Sequence, residues 1–385
     1  MSRTDKPAQR PGSPNFSCGP CAKRPRWTPD VLRSALLGRS HRSAAGEARL
    51  KLAIDSTHAL LELPTDYRLA IVPGSDTGAF EMALWSMLGA RGVDVLAWEN
   101  FGKRWVADIV GELKPPDVRL LEADYGRLPD LTEVDFDRDV VFTWNGTALG
   151  VRVPDGDWIA ADRRGLTFAD ATSALFAQAI DWAKIDVATF SWQKVLGGEA
   201  AHGMIVLSPR AFERLASHRP SWPVPKLFRL AEHGRVLDDL FAGVTINTPS
   251  MLCVEDYLDA LGWAERIGGL KSLQARADAN AAVLFDWIAR TPWIANLAVD
   301  PATRSNTSVC LRFTDDRGGA DEHRRIADRM VALLAAEGVA HDIGAYRTAP
   351  PGLRVWCGVT IERTDLEALT PWLDWAYGEA TARSG

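Results

Sequence analysis

The sequence predicts an α/β protein: a large domain on a mainly parallel sheet, followed by a smaller α+β domain at the C-terminus. Two observations carry this. From about residue 66 to 207, short apolar runs alternate with helical patterns, as strands joined by crossover helices do. Beyond about residue 250, the alternation gives way to two long amphipathic helices and then a few separated strands and helices.

In chain order, "YRLAIVPGSDTGAFEMALWSML" reads as strand, glycine turn and helix, and "VDVLAWENFGKRWVADIVGEL" repeats the pattern. "DVVFTWNGT", "GLTFADAT", "VATFSWQK" and "HGMIVLSP" are further short β-branched or aromatic runs, each ending in polar loop residues. Next come the helices "SMLCVEDYLDALGWAERIG" and "LKSLQARADANAAVLFDWIAR", with the hinge expected near 265–290. "TSVCLRF", a helix near 321–337, "GLRVWCGVTI" and a closing helix complete the small domain. The opening "MSRTDKPAQRPGSP" mixes charge, proline and glycine without an apolar stretch. The expected organisation is therefore a disordered leader at 1–14, a large domain at 15–255 and a small domain at 256–385.

Composition narrows the function. With 46% hydrophobic and 24% charged residues, the 385-residue chain is an ordinary globular protein. Lys+Arg at 44 against Asp+Glu at 50 gives −6, so electrostatics offers no case for a nucleic-acid partner. No apolar run approaches the roughly 20 residues of a membrane span, and the N-terminus lacks a secretory apolar region. A cytoplasmic location without membrane contact is expected. The cysteines Cys18, Cys21, Cys253, Cys310 and Cys357 are odd in number and mostly isolated, which suits reduced thiols. Cys18-Gly-Pro-Cys21 has the spacing of a redox dithiol, but no strand precedes it. No second Cys/His pair completes a zinc site either. Neither redox nor metal chemistry is expected there.

Ligands on sheets of this kind lie outside the carboxyl ends of the strands. Asp170 ends one apolar run, and Lys194 follows another 24 residues later. A lysine so placed can form a Schiff base with a carbonyl cofactor. A buried aspartate in the same cleft can keep a pyridine nitrogen protonated. Singly, the two read as a surface lysine and a helix-capping aspartate; as an ordered pair they point to pyridoxal-phosphate chemistry. "PGSDTGAF" presents backbone N–H groups and a helix N-terminus to a phosphate, yet lacks the lysine of a P-loop and the GxGxxG spacing. Trp105 offers a face for a planar ring or packs in the core. Thr147 in "WNGT" hydrogen-bonds a phenolic oxygen or caps a turn.

The motifs "NFSCGPC", "SHRS", "PGSDTGAF", "WNGT", "FADATS", "SWQK" and "INTPS", in this order, resemble the phosphoserine aminotransferases, a class V, fold-type I family. The resemblance runs from about residue 14 almost to the C-terminus. It implies a seven-stranded, mainly parallel sheet in the large domain, and pyridoxal 5'-phosphate as cofactor. Lys194 would hold the cofactor covalently and move the proton at the substrate α-carbon, with Asp170 on the pyridine nitrogen. Trp105 would stack on the ring and Thr147 touch its oxygen, while Ser75, Asp76, Thr77 and Gln193 bind the phosphate. Asn247 and Thr248 would reach the cofactor of a neighbouring subunit, which implies a homodimer with shared active sites. His41, Arg42, Arg347 and Arg354 would bind the phosphate and carboxylate of a phosphorylated amino or keto acid. Small apolar residues usually stand where this chain has Cys18 and Cys21.

The implied reaction exchanges the amino group between L-glutamate and 3-phosphohydroxypyruvate. The family's second reaction, on 4-phosphohydroxy-L-threonine in vitamin B6 synthesis, is implied for some bacteria. The rivals are a class V aminotransferase using glyoxylate, alanine or serine, and a cysteine desulfurase, whose mobile nucleophile has one candidate, Cys357, and that cysteine lies within a strand-like run. A non-catalytic relative that binds ligand and a dithiol redox protein stand further off. Two departures bear on the site. Asp76-Thr77 replaces a usual glycine-arginine step, so Asp76 should turn its carboxylate from the phosphate, and "WNGT" replaces the more usual Asn-Glu-Thr.

Overall fold

The computed structural model describes residues 5–314 and 318–382. Seven strands form the large sheet: β1 (Arg68–Pro73), β2 (Val93–Ala97), β3 (Val118–Glu122), β4 (Asp139–Thr143), β5 (Thr167–Asp170), β6 (Val187–Ser191) and β7 (His202–Leu207). Their spatial order is β1-β7-β6-β5-β4-β2-β3. Only β7 is antiparallel to its neighbours; the pairs from β6 to β3 are all parallel. This is the mainly parallel seven-stranded sheet that the resemblance implies. Strands β2, β4, β5, β6 and β7 are buried at every residue, which is why they read as unbroken apolar runs. The edge strand β3, "VRLLE", is partly exposed throughout; its charges break the run, as edge strands require.

Helices cover both faces. They are α1 (Ala44–Leu60), α2 (Ser75–Met87), α3 (Asn100–Ala107) and α4 (Pro209–Ser217). Successive β1 side chains point to opposite faces: Leu69 and Ile71 enter one core with α1, whereas Ala70 and Val72 enter the other with Phe80 and Ala83 of α2. Side-chain caps start α1, α3 and α4, where Ser43, Glu99 and Ser208 accept the N–H of Gly46, Gly102 and Ala211.

Two long helices, α5 (Met251–Arg266) and α6 (Gly269–Arg290), lead to an antiparallel sheet of β8 (Ile294–Asn296), β9 (Ser308–Phe313) and β10 (Gly352–Trp356). It packs on α7 (Gly319–Ala336) and α8 (Arg363–Thr381). Trp293 stacks on Tyr377 at 4.0 Å, and Asp374 accepts the indole N–H groups of Trp287 and Trp293 at 3.1 Å. Strand β10 stops before Cys357, whose N–H donates to Thr307 O, so "CGVTI" is loop and not strand.

The leader expected to be disordered over 1–14 needs correction for residues 5–14; residues 1–4 lie outside the described residues. Lys6 and Arg10 pair with Glu337. The Trp372 indole donates to Gln9 O at 2.7 Å, and Gly12 N–H donates to Asp365 Oδ1 at 2.6 Å. Proline and glycine bar regular structure here, but they do not stop an extended backbone from docking on α7 and α8. Past Asn15 the chain lies beside β10, where Phe16 O accepts the N–H of Trp356.

Candidate active site

Strands β5 and β6 run parallel with Asp170 opposite Thr189. Asp170 is the last residue of β5, and Lys194 lies just past Ser191 at the end of β6. The two residues therefore share one carboxyl edge of the sheet, where binding crevices form. Three donors converge on Asp170. Its Oδ1 accepts the N–H (3.1 Å) and hydroxyl (2.6 Å) of Thr172, and its Oδ2 accepts the indole N–H of Trp105 (3.1 Å).

Trp105 is thus not where the resemblance puts it. Its edge is committed to Asp170 and its ring lies 4.8 Å from Phe80, in the core with Ile109 and Phe168. At 3% exposure it has no open face for a ring. Its task is to anchor the carboxylate. The half-buried aromatic at the same helix start is Phe101, 5.8 Å from Tyr346. Its neighbour Gly102 approaches the side chain of Thr143, the β4 residue opposite Asp170.

The Ser75-Asp76-Thr77 turn opens α2 behind left-handed Gly74 (φ 82°) and Ser75 (φ 53°). A side chain at Gly78 would sit 2.2 Å from Pro73 O, so only glycine lets this helix start so close to β1. First-turn N–H groups have no intrahelical acceptor and are available to an anion. Asp76 itself is 6% exposed. Burial first, then the charge of Asp170, pushes its carboxyl well above the usual carboxylate range.

Lys194 Nζ donates to the carbonyls of Cys18 (2.6 Å) and Gly19 (3.1 Å). Cys21 N–H donates to Gln193 O at 2.8 Å, and left-handed Gly197 lets the lysine loop pass against Ala22 O. The opening segment therefore clasps the lysine through its backbone. Its sulfurs are buried, and burial pushes the Cys21 thiol up against the opposing pull of Lys194 and Arg354. Cys310 is pushed up to about 12 by the same cause. Such thiols are poor nucleophiles. Cys21→Ala is expected to keep turnover within about fivefold, under ~1 kcal/mol of barrier; a larger loss in a steady-state assay would give the sulfur a role.

The Thr147 hydroxyl donates to Ser173 Oγ (2.6 Å), which also accepts from Asn145 Nδ2 (2.8 Å). Ser308 Oγ donates to Thr147 O (2.7 Å). The "WNGT" turn is thereby pinned between the β5 end and the start of β9. Of the anion-binding candidates, Arg354 lies on β10 opposite Cys310. Its buried Nε has no partner, and its guanidinium stands 5.6 Å from the centre of the Tyr346 ring. Arg347 is exposed on the loop before β10, which rests on α3 where Asn100 bonds Thr348 and Arg104 bonds Tyr346. His41 is buried with Nε2 unpartnered, and Arg42 is exposed. Asn247 and Thr248 are exposed. Among the described residues, no hydrogen bond joins His41, Arg42, Asn247 or Thr248 to the Asp170–Lys194 edge.

Two residues escape the sequence reading. Glu99, two residues past the end of β2, is fully buried, and burial pushes it up to about 8 while Gly102 N–H pulls it down. His202, at the start of β7, accepts Ser250 N–H on Nε2 at 3.2 Å, which leaves the proton on Nδ1. Burial holds its pKa down to about 4. An acid or imidazole flanking a strand was the available signal in each case. Buried polar atoms without partners include Asp76 Oδ1, Thr189 Oγ1, Ser191 Oγ, Gln193 Oε1, His202 Nδ1 and Arg354 Nε. Native interiors rarely leave such atoms unsatisfied, so this set marks where a polar ligand fits.

Comparison with known proteins identifies the family. No protein-family model matches the chain. It is 55% identical over 372 residues to a phosphoserine aminotransferase of Methanosarcina mazei, covering 97% of this chain and 99% of that one. A phosphoserine aminotransferase structure from Cytophaga hutchinsonii superposes with a TM-score of 0.79 at 22% identity, covering 93% and 97% of the two chains. A pyridoxal-phosphate-bound one from Trichomonas vaginalis gives 0.75 at 18% identity, over 94% and 99%.

Proposed function

The chain belongs to the phosphoserine aminotransferase family, and on that premise we propose how its own residues carry the reaction. It transfers the amino group between L-glutamate and 3-phosphohydroxypyruvate, giving 2-oxoglutarate and O-phospho-L-serine, with pyridoxal phosphate as cofactor. The observation that supports this most is the shared carboxyl edge of Asp170 and Lys194, ringed by unsatisfied polar atoms. When bound, the cofactor supplies an electron sink for the charge that develops at the substrate α-carbon.

Lys194 holds the cofactor and moves the α-proton, and the carbonyls of Cys18 and Gly19 fix its ammonium beforehand. Asp170 holds the pyridine nitrogen, kept in place by Thr172 and Trp105. Ser75, Asp76 and Thr77 offer backbone N–H groups to the phosphate, and Gln193 offers its side chain. Thr147 would serve the ring oxygen, and Phe101 would take the platform role in place of Trp105. The unpartnered Arg354 Nε suits a substrate carboxylate, with Arg42, His41 and Arg347 at the substrate phosphate. Asn247 and Thr248 complete the site of a second subunit in a homodimer with shared active sites. The boundary between a large domain (15–255) and a small domain (256–385) falls within α5. The 4-phosphohydroxy-L-threonine reaction and a cytoplasmic location belong to the same reading; among the described residues, no helix is long and apolar enough to cross a membrane.

The test is the amino donor. O-phosphoserine should be used far better than serine. Arg42→Ala should lower kcat/KM for phosphoserine by about 10–100-fold, the worth of one charge-assisted hydrogen bond, and leave serine nearly unchanged. Equal losses on both donors would take Arg42 off the phosphate.

A further inference from the structure

We infer that Asp76 is a positioning residue for Asp170: it stands as a neutral carboxylic acid that donates its proton to the Asp170 carboxylate, so the buried pair carries one negative charge. This rests on the reading of Asp170 as the cofactor's nitrogen partner. Asp76 itself has no place in that reading beyond its backbone N–H.

The two carboxyl groups meet at the end of β5, where they act on each other through charge and as a hydrogen-bonding pair. Between two carboxyl groups a hydrogen bond exists only if one keeps a proton. The surroundings decide which one. Asp170 accepts three donors, two on Oδ1 and one on Oδ2, the setting that favours a charge. Among the described residues, no hydrogen bond reaches the buried Asp76 Oδ1. Burial and Asp170 push Asp76 up, the Thr172 and Thr189 hydroxyls pull it down by less than burial raises it, and none of these groups is a cation. The third acid nearby, Glu99 at the start of α3, is itself pushed upward and feels Asp170.

A rival effect exists, because Asp76 sits in the first turn of α2, where the helix dipole modestly favours a negative charge. Burying an unpaired carboxylate costs more than the dipole returns, so the proton stays. The same assignment explains how a carboxyl residue fits a phosphate-binding turn. Facing Asp170 uncharged, Asp76 leaves its helix terminus to the anion.

Asp76→Asn keeps a neutral donor at the same position, and Asp76→Ala removes it. Cofactor affinity is measured by equilibrium dialysis of pyridoxal phosphate against the full-length apoprotein. The Ala variant should bind the cofactor at least about tenfold more weakly than the Asn variant, as expected for losing one buried hydrogen bond to a charged group. Independently, the infrared spectrum of the apoprotein at neutral pH should show a protonated carboxylic C=O band that Asp76→Asn lacks. If no such band disappears, or if Asn loosens the cofactor as much as Ala, the inference is wrong. Asp170→Ala separates the two readings. Undiminished cofactor binding in that variant would remove Asp170 from the cofactor, whereas the infrared band reports on Asp76 alone.

Discussion

Lys194→Ala is expected to lower turnover by at least about 10⁴-fold, since it removes both the covalent anchor and the proton carrier. The fold should survive. Among the described residues, Lys194 Nζ makes no ion pair with a carboxylate; it donates to two backbone carbonyls, and its loop is held separately by Cys21 N–H on Gln193 O. Two hydrogen bonds to partly exposed carbonyls are therefore lost, and water can replace them. Borohydride supplies the check. The wild-type protein should be yellow, bleach on reduction and retain cofactor at Lys194 after denaturation, whereas Lys194→Ala should release all of it. Turnover above about one hundredth of wild type would take Lys194 out of the proton transfer, which by itself contributes about 10²–10⁴-fold.

That lysine was legible in the sequence because two physical constraints act locally. A buried strand must be apolar, and the residue that leaves it toward the crevice is free to be polar. Strands β1, β2, β4, β5, β6 and β7 are each a buried run closed by such residues, so Asp170 and Lys194 could be read as neighbours before their pairing was known. Strand β3 was not read because an edge strand carries charges. The docking of residues 5–14 was missed for a different reason. Their partners Glu337, Asp365 and Trp372 lie over 300 residues away, and no local pattern encodes a contact of that range.

Side-chain direction was the least legible feature. Trp105 follows the right strand at the right distance for a ring platform, yet one turn of α3 separates it from Phe101 and sends it into the core. Whether a helix presents one position or the other is set by its packing on β2 and β4, and that is tertiary information. The departure at Asp76 was legible as a conflict, a carboxylate beside a phosphate. The resolution we infer needs the position of Asp170, at the end of a strand distant in sequence from α2.

Asp170→Asn should be the second most damaging change, and it acts in two separable ways. An amide cannot hold the pyridine nitrogen in its protonated form, so turnover is expected to fall by about 10²–10³-fold, in the range seen for losing one preorganised electrostatic contact. The amide also meets donors on both sides, because Thr172 approaches Oδ1 and Trp105 approaches Oδ2. One of those positions must become an NH₂ facing an N–H or O–H, a conflict worth about 1–3 kcal/mol. Urea denaturation of the apoprotein should show that loss. Trp105→Phe removes one donor, so the double variant Trp105→Phe/Asp170→Asn should lose less stability than the two single changes summed. Its turnover should stay as low as that of Asp170→Asn, because relieving the conflict does not restore the charge. If turnover recovered together with stability, Asp170 would serve the site through its geometry, and its negative charge would not be what the reaction uses.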